Sequence, residues 1–136
     1  MGLLEKRAIK EFQDNSFKKL TAEINTLAGF DIEFDVKWET LAVEEYAHLY
    51  DEGFTKVYFT PILNAFKEIT SDDMGKQALK DTLLKISIKN ENDIHYGDAA
   101  YSYENKTLTI DHKPMTNIDN IEERSTALAS FLIKKM

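Results

Sequence analysis

Two histidines and two aspartates in the second half of the chain are the residues best suited to chemistry. They are His95, Asp98, Asp111 and His112. A carboxylate beside an imidazole can orient the ring for acid–base catalysis. Two imidazoles and a carboxylate can also hold a metal ion with open coordination positions. We therefore take these four as candidate catalytic residues, and leave open whether a metal takes part.

A predicted β-hairpin would bring the four residues together. Strand-forming stretches at 99–104 and 107–111 flank a two-residue turn. A turn of that length fixes the register and places the apolar side chains of both strands on one face. The facing pairs are Tyr103 with Leu108 and Tyr101 with Ile110. The same register brings the start of the first strand beside the end of the second, where the candidate residues lie.

Each candidate also has a purely structural explanation. Asp111 comes shortly before Lys113-Pro114, a turn sequence in which a carboxylate commonly caps backbone N–H groups. His95 lies in a long polar loop, where an exposed histidine needs no role.

A second candidate site is the acidic row formed by Asp31, Glu33 and Asp35. Alternate residues of a strand point to one face, and clustered carboxylates suit hard cations or acid–base work. The simpler explanation is a solvated face, with the row paired across the sheet to Lys85 and Lys89.

Four aromatic residues could belong to the core or to an exposed patch. They are Trp38, Phe54, Tyr58 and Phe59. Aromatic side chains usually dominate cores, but an exposed group could anchor a protein partner. A homodimer would be the first such partner to test, because two-fold dimers are the commonest oligomers.

The hydrophobic periodicity predicts helices and strands in runs, not in strict alternation. Helices are predicted at 3–28 (with a break near 14–16), 40–52, 61–69, 71–83 and 119–135, and strands at 30–38, 84–89, 99–104 and 107–111. Residues 54–60 are ambiguous, with strand propensity before a proline. We predict an α+β domain spanning residues 1–136. Its four-stranded, largely antiparallel sheet carries helices on one face, with helices near the N- and C-termini, because a sheet with one wet face is usually antiparallel.

Composition narrows the function classes. The formal net charge is −7 and the basic residues are dispersed, which disfavours nucleic acid and anionic membrane surfaces as partners. The chain has no cysteine, so thiolate catalysis and cysteine-based metal sites are excluded. No signal-peptide pattern appears, and we expect a cytoplasmic protein.

The chain carries no nucleotide-binding, metalloprotease or nucleophile-elbow motif. We therefore predict a small acidic protein with a non-catalytic binding or accessory function, which needs no cofactor and binds a protein partner or a second copy. The alternative is a small metal-dependent or His/Asp acid–base enzyme that uses the 95–112 region. A third hypothesis, a small-molecule carrier, would require a buried cavity of roughly 300 Å³ or more.

Overall fold

The computed structural model describes residues 1–136 and has an α+β fold with seven α-helices and four β-strands. The helices are α1 (Leu3–Asp14), α2 (Ser16–Ala28), α3 (Trp38–Leu41), α4 (Tyr50–Phe54), α5 (Thr60–Ile69), α6 (Asp73–Thr82) and α7 (Ile121–Ile133). The strands are β1 (Glu33–Val36), β2 (Lys85–Lys89), β3 (Tyr101–Glu104) and β4 (Thr107–Asp111). None of the helices is both long enough and apolar enough to cross a bilayer.

The sheet is mixed, so the prediction of a largely antiparallel sheet is wrong. Its order is β1-β2-β4-β3, and both β1–β2 and β2–β4 are parallel pairs. Only the hairpin is antiparallel, with Tyr101 opposite Ile110 and Tyr103 opposite Leu108, as the turn length predicted. The first parallel pair arises because helices connect β1 to β2. The β2–β4 pair is parallel because β3 lies at the edge of the sheet and the chain returns through the hairpin to place β4 beside β2.

The two faces of the sheet differ in burial. Ile86, Ile88, Leu108 and Ile110 are buried and belong to a contiguous core of 27 apolar residues. The polar side chains on the opposite face remain accessible, and Lys85 lies 3.6 Å from Glu33 and 3.8 Å from Asp35. The cross-sheet pairing expected for the acidic row is therefore present only through Lys85, since Lys89 lies 2.5 Å from Glu91 instead and Asp31 lies outside β1. Parallel strands are usually covered on both faces, so a strand pattern with one solvent-exposed face led to the prediction of an antiparallel sheet.

The first strand is shorter than its alternating sequence suggested. Residues 30–38 were predicted as one strand, but only Glu33–Val36 pair, because β2 itself begins at Lys85. Trp38 instead begins α3, a single turn of helix. Residues 42–49 form turns and a short 3₁₀ helix, so the predicted single helix over 40–52 is wrong in its middle, although residues 40–41 and 50–52 are α-helical.

A continuous helical stretch runs through α4 and α5 with a π-helical segment, Thr55–Phe59, between them. The N–H of Thr60 donates to the carbonyl of Thr55, five residues back. The wider π turn lies directly before Pro61, which lacks an N–H and would break a regular α-helical ladder. Burial in the core therefore overrides the strand propensity of residues 54–60.

The aromatic residues considered for an exposed patch belong to the core. Phe54, Tyr58 and Phe59 are fully buried, and Trp38 is half-buried against the core. The Phe59 ring lies 5.7 Å from that of Phe17, which ties α2 to the π-helical segment. The hypothesis that these aromatics form an interaction patch is wrong.

The helix ends follow their local signals in most places. The predicted break near residues 14–16 is present, and Gly29 ends α2 in a left-handed conformation with φ of 85°. Asp72 caps α6 by accepting from the N–H of Gly75 at 2.7 Å. The last helix begins after Asn120.

Candidate functional site

The predicted site residues lie at the end of the sheet where β2 and β4 finish. Asp111 is the last residue of β4 and His112 follows it, while Asp98 begins the short turn that leads into β3. The N–H of Lys113 donates to the carbonyl of Ile94 at 2.7 Å, which joins the two chain segments. The topology thus brings the segments together, but the four side chains point to different surroundings.

Asp111 is buried and stabilises the turn that follows β2. One of its carboxylate oxygens accepts from the N–H of Glu91 at 2.8 Å, and the other accepts from the side chain of Asn92 at 2.5 Å. Both oxygens therefore have partners within the protein. Asp111 therefore does cap a backbone N–H group, but that of Glu91 after β2 and not one in the Lys113-Pro114 turn, where the sequence had placed it.

His112 is also buried, with 2% of its surface exposed. Its Nδ1 donates to the carbonyl of Lys113 at 2.7 Å, which leaves Nε2 to accept from Nε of Arg124 at 3.4 Å. Burial is the main cause that lowers the pKa of His112 to about 4; the hydrogen bond to Lys113 opposes this shift, and the nearby Arg124 charge adds to it. The imidazole is neutral at pH 7 and has no free nitrogen.

His95 and Asp98 are exposed, and neither side chain is hydrogen-bonded to Asp111, His112 or Arg124. The His95 ring packs edge-on against Tyr96, with 5.4 Å between ring centroids. No group of three or more histidine, aspartate or glutamate side chains has an arrangement that could hold a metal ion. The enzyme hypothesis for this region stays a prediction, and Asp111 and His112 already have their polar atoms hydrogen-bonded within the protein.

Sequence reasoning missed Arg124, which organises this end of the molecule. Its guanidinium donates from Nη2 to the carbonyls of Thr116 and Asn117 at 2.8 and 2.6 Å, and from Nη1 to that of Ile118 at 3.4 Å. No carboxylate lies within 4.0 Å, and burial lowers the pKa of Arg124. The sequence signal that could have revealed it is an arginine on the core-facing side of the last helix, between Ile121 and Leu128.

Removing the Tyr58 hydroxyl is expected to weaken this network. The hydroxyl is buried and donates to the main-chain carbonyl of His112 at 2.5 Å. Tyr58→Phe should lower the free energy of unfolding by about 1–2 kcal/mol in urea titrations, because it leaves a buried carbonyl short of a donor. Tyr46→Phe is the matched control, since Tyr46 is exposed. Equal stability of the two variants would show that the Tyr58 bond contributes nothing.

A groove between α2, α5 and the start of α6 is the largest concavity of the molecule. Its volume is about 870 Å³ and it is open to solvent. The apolar part of its lining includes Leu27, Ala28 and Leu63, which are buried or half-buried and continuous with the core. We call this feature the lysine groove, after Lys19, Lys67 and Lys76 in its lining.

The charge of the lysine groove contrasts with that of the whole chain. The lining has three lysines and a single acidic residue, Glu23, in a protein of net charge −7. Neither Lys19 nor Lys67 has a carboxylate within 4.0 Å, and Lys76 has only Asp73 at 3.9 Å. The groove is therefore a locally basic, partly apolar surface.

The lysine groove was not predicted from the sequence, because three separate elements build it. Its lysines are widely spaced along the chain and look dispersed there, and only the packing of α2 against α5 and α6 gathers them.

Comparison with known proteins found no matching family model, no matching curated protein and no matching solved structure.

Proposed function

We propose that the protein is a non-catalytic interaction module and that the lysine groove is where it binds a partner protein. The observation that carries this proposal is the groove itself: an open, partly apolar surface with three lysines, two of which have no carboxylate partner. Grooves of this form accept segments of other proteins, whereas small-molecule sites enclose most of their ligand. The aromatic residues first considered as a partner-binding patch are in the core, so the proposal assigns partner binding to the lysine groove instead.

The polar residues at the end of the sheet support the same proposal. The hydrogen-bonding side-chain atoms of Asp111 and His112 are bonded to other groups of the protein. A general base must be able to reach the proton that it removes, and a buried imidazole with both nitrogens bonded has no such access. In this proposal, Asp111 and His112 stabilise the fold at the end of the sheet where β2 and β4 finish.

Site-specific photo-crosslinking in cells tests the proposal. A benzophenone amino acid at position 26 lies in the lining of the lysine groove, and the same group at position 130 lies on the exposed side of α7. Thr26 and Ser130 are both exposed helical hydroxyl residues, so they form a matched pair. We expect a discrete covalent adduct with one protein from position 26 and none from position 130.

A second substitution ties the adduct to the groove. Ala22 is exposed and lines the groove, so Ala22→Tyr fills it without disturbing the core. We expect this substitution to abolish the adduct from position 26. An absence of any discrete adduct, or an equal adduct from position 130, would refute the proposal.

A further inference from the structure

We infer that the lysine groove accepts an acidic, amphipathic α-helix of the partner protein. The apolar side of that helix would lie on Leu27 and Leu63, and its carboxylates would approach the three lysines. This inference rests on the proposed function, and it adds the chemical class of the bound segment.

The shape of the groove suits a helix laid on its side. On α2 the lining includes Lys19, Ala22 and Thr26, which share one face at spacings of three and four residues. On α5 it includes Leu63 and Lys67, four residues apart. The α2 lining runs from Lys19 to Ala28, so at about 1.5 Å per residue this wall is roughly 14 Å long, or two and a half helical turns. An amphipathic helix buries one face and leaves the other in water, as an open groove requires.

The charges select the sign of the partner. Lys19, Lys67 and Lys76 come from three different helices, so each of the three helices that build the groove contributes one lysine to its lining. Exposed charges act over a Debye length of about 8 Å at physiological salt, so this local surface attracts carboxylates despite the net negative charge of the chain. A basic helix would be repelled by the same three lysines, and charge complementarity of this kind gives specificity.

An aliphatic carboxylate would share this chemistry, but the groove fits it poorly. Small-ligand sites usually bury about 70–90% of the ligand surface. A single acyl chain in a groove open to solvent would keep much of its length in contact with water. An acidic helix and an aliphatic carboxylate such as dodecanoate are distinguished by direct competition for the groove.

The test uses the full-length protein labelled with ¹⁵N and a synthetic helical peptide of about 15 residues, the length at which an isolated helix begins to be stable. The peptide carries leucines at helical spacings of three and four, with glutamates beside them. A matched peptide has every glutamate replaced by lysine. We expect the acidic peptide to shift the amide signals of residues lining the lysine groove, and the basic peptide to shift none.

Substitution of the groove lysines then measures the charge contribution. Lys19→Gln with Lys67→Gln should weaken binding of the acidic peptide by roughly two- to twenty-five-fold, since each exposed ion pair contributes about 1.4- to fivefold. The control is Lys18→Gln with Lys80→Gln, which removes the same charge from exposed lysines outside the groove lining. We expect this control to bind like the unsubstituted protein.

Three results would overturn the inference: binding of both peptides alike, equal binding by the two double variants, or binding of dodecanoate in place of the acidic peptide. If the photo-crosslinked partner binds the Lys19→Gln, Lys67→Gln variant at full strength, the acidic helix is refuted while the proposed function stands. If no partner is crosslinked and no peptide binds, both are refuted.

Discussion

On acidification below pH 6.5, the protein is expected to lose about 3 kcal/mol of its free energy of unfolding as His112 becomes protonated. The pKa of His112 falls from 6.5 to about 4 on folding, because burial disfavours the charged ring. The unfolded chain therefore binds a proton at a higher pH than the native protein. The contribution of His112 to stability is fully present above pH 6.5 and declines as the pH falls to about 4.

The geometry explains why the native state resists this proton. A hydrogen on Nε2 would face the Nε–H of Arg124, so that two donors and two positive charges would meet in a buried space. Carboxylates titrate mostly below this range, so urea unfolding curves between pH 7 and pH 5 isolate the histidine. About 2 kcal/mol of the loss should fall within that interval.

Two histidine variants check this assignment. His112→Gln keeps an acceptor near Arg124 but cannot titrate, so its stability should change much less between pH 7 and pH 5. His95→Gln removes an exposed histidine that lowers the pKa of His112 less than burial does, so it should keep most of the pH dependence. The assignment to His112 fails if its variant retains the unsubstituted protein's pH dependence.

Gly75→Ala is expected to lower the free energy of unfolding by about 2 kcal/mol or more, although alanine is the better helix former by about 1 kcal/mol. Gly75 lies in the first turn of α6, where the helix approaches the end of α5. A Cβ atom there would overlap the carbonyl oxygen of Ile69 and lie 2.9 Å from its carbonyl carbon. These are backbone atoms, so relief requires that the two helices move apart.

Gly53→Ala provides the comparison, because its added methyl would meet a movable neighbour. The contacts there are with the end of the Met115 side chain, including Sδ at 2.7 Å. Methionine is flexible and can change rotamer, so we expect a smaller loss than at Gly75. Urea unfolding of both variants measures the difference. A Gly75→Ala protein as stable as the original would show that α5 and α6 are not held at this distance.

The sequence alone determined features that depend on local interactions. The break near residues 14–16, the left-handed Gly29 and the Asp72 cap follow from the conformational preferences of single residues. The hairpin register followed from the turn length and the alternation of Tyr101 and Tyr103. In these cases neighbours in the chain supply most of the relevant free energy.

The tertiary structure decided the features that depend on which distant segments meet. Strand β1 ends at Val36, although β2 continues to Lys89, because the chain turns into α3, and the strand-forming residues 57–59 become helical because the core buries them. The mixed sheet depends on β4 lying between β2 and β3, which no local pattern encodes.

The candidate sites divide in the same way. Asp111 and His112 could be selected by residue type, but only the packing of α7 showed that Arg124 occupies the histidine's second nitrogen. The lysine groove exists only because α2, α5 and α6 pack side by side. Side-chain identity is local information, whereas burial and hydrogen-bond partners are set by the long-range contacts of the folded chain.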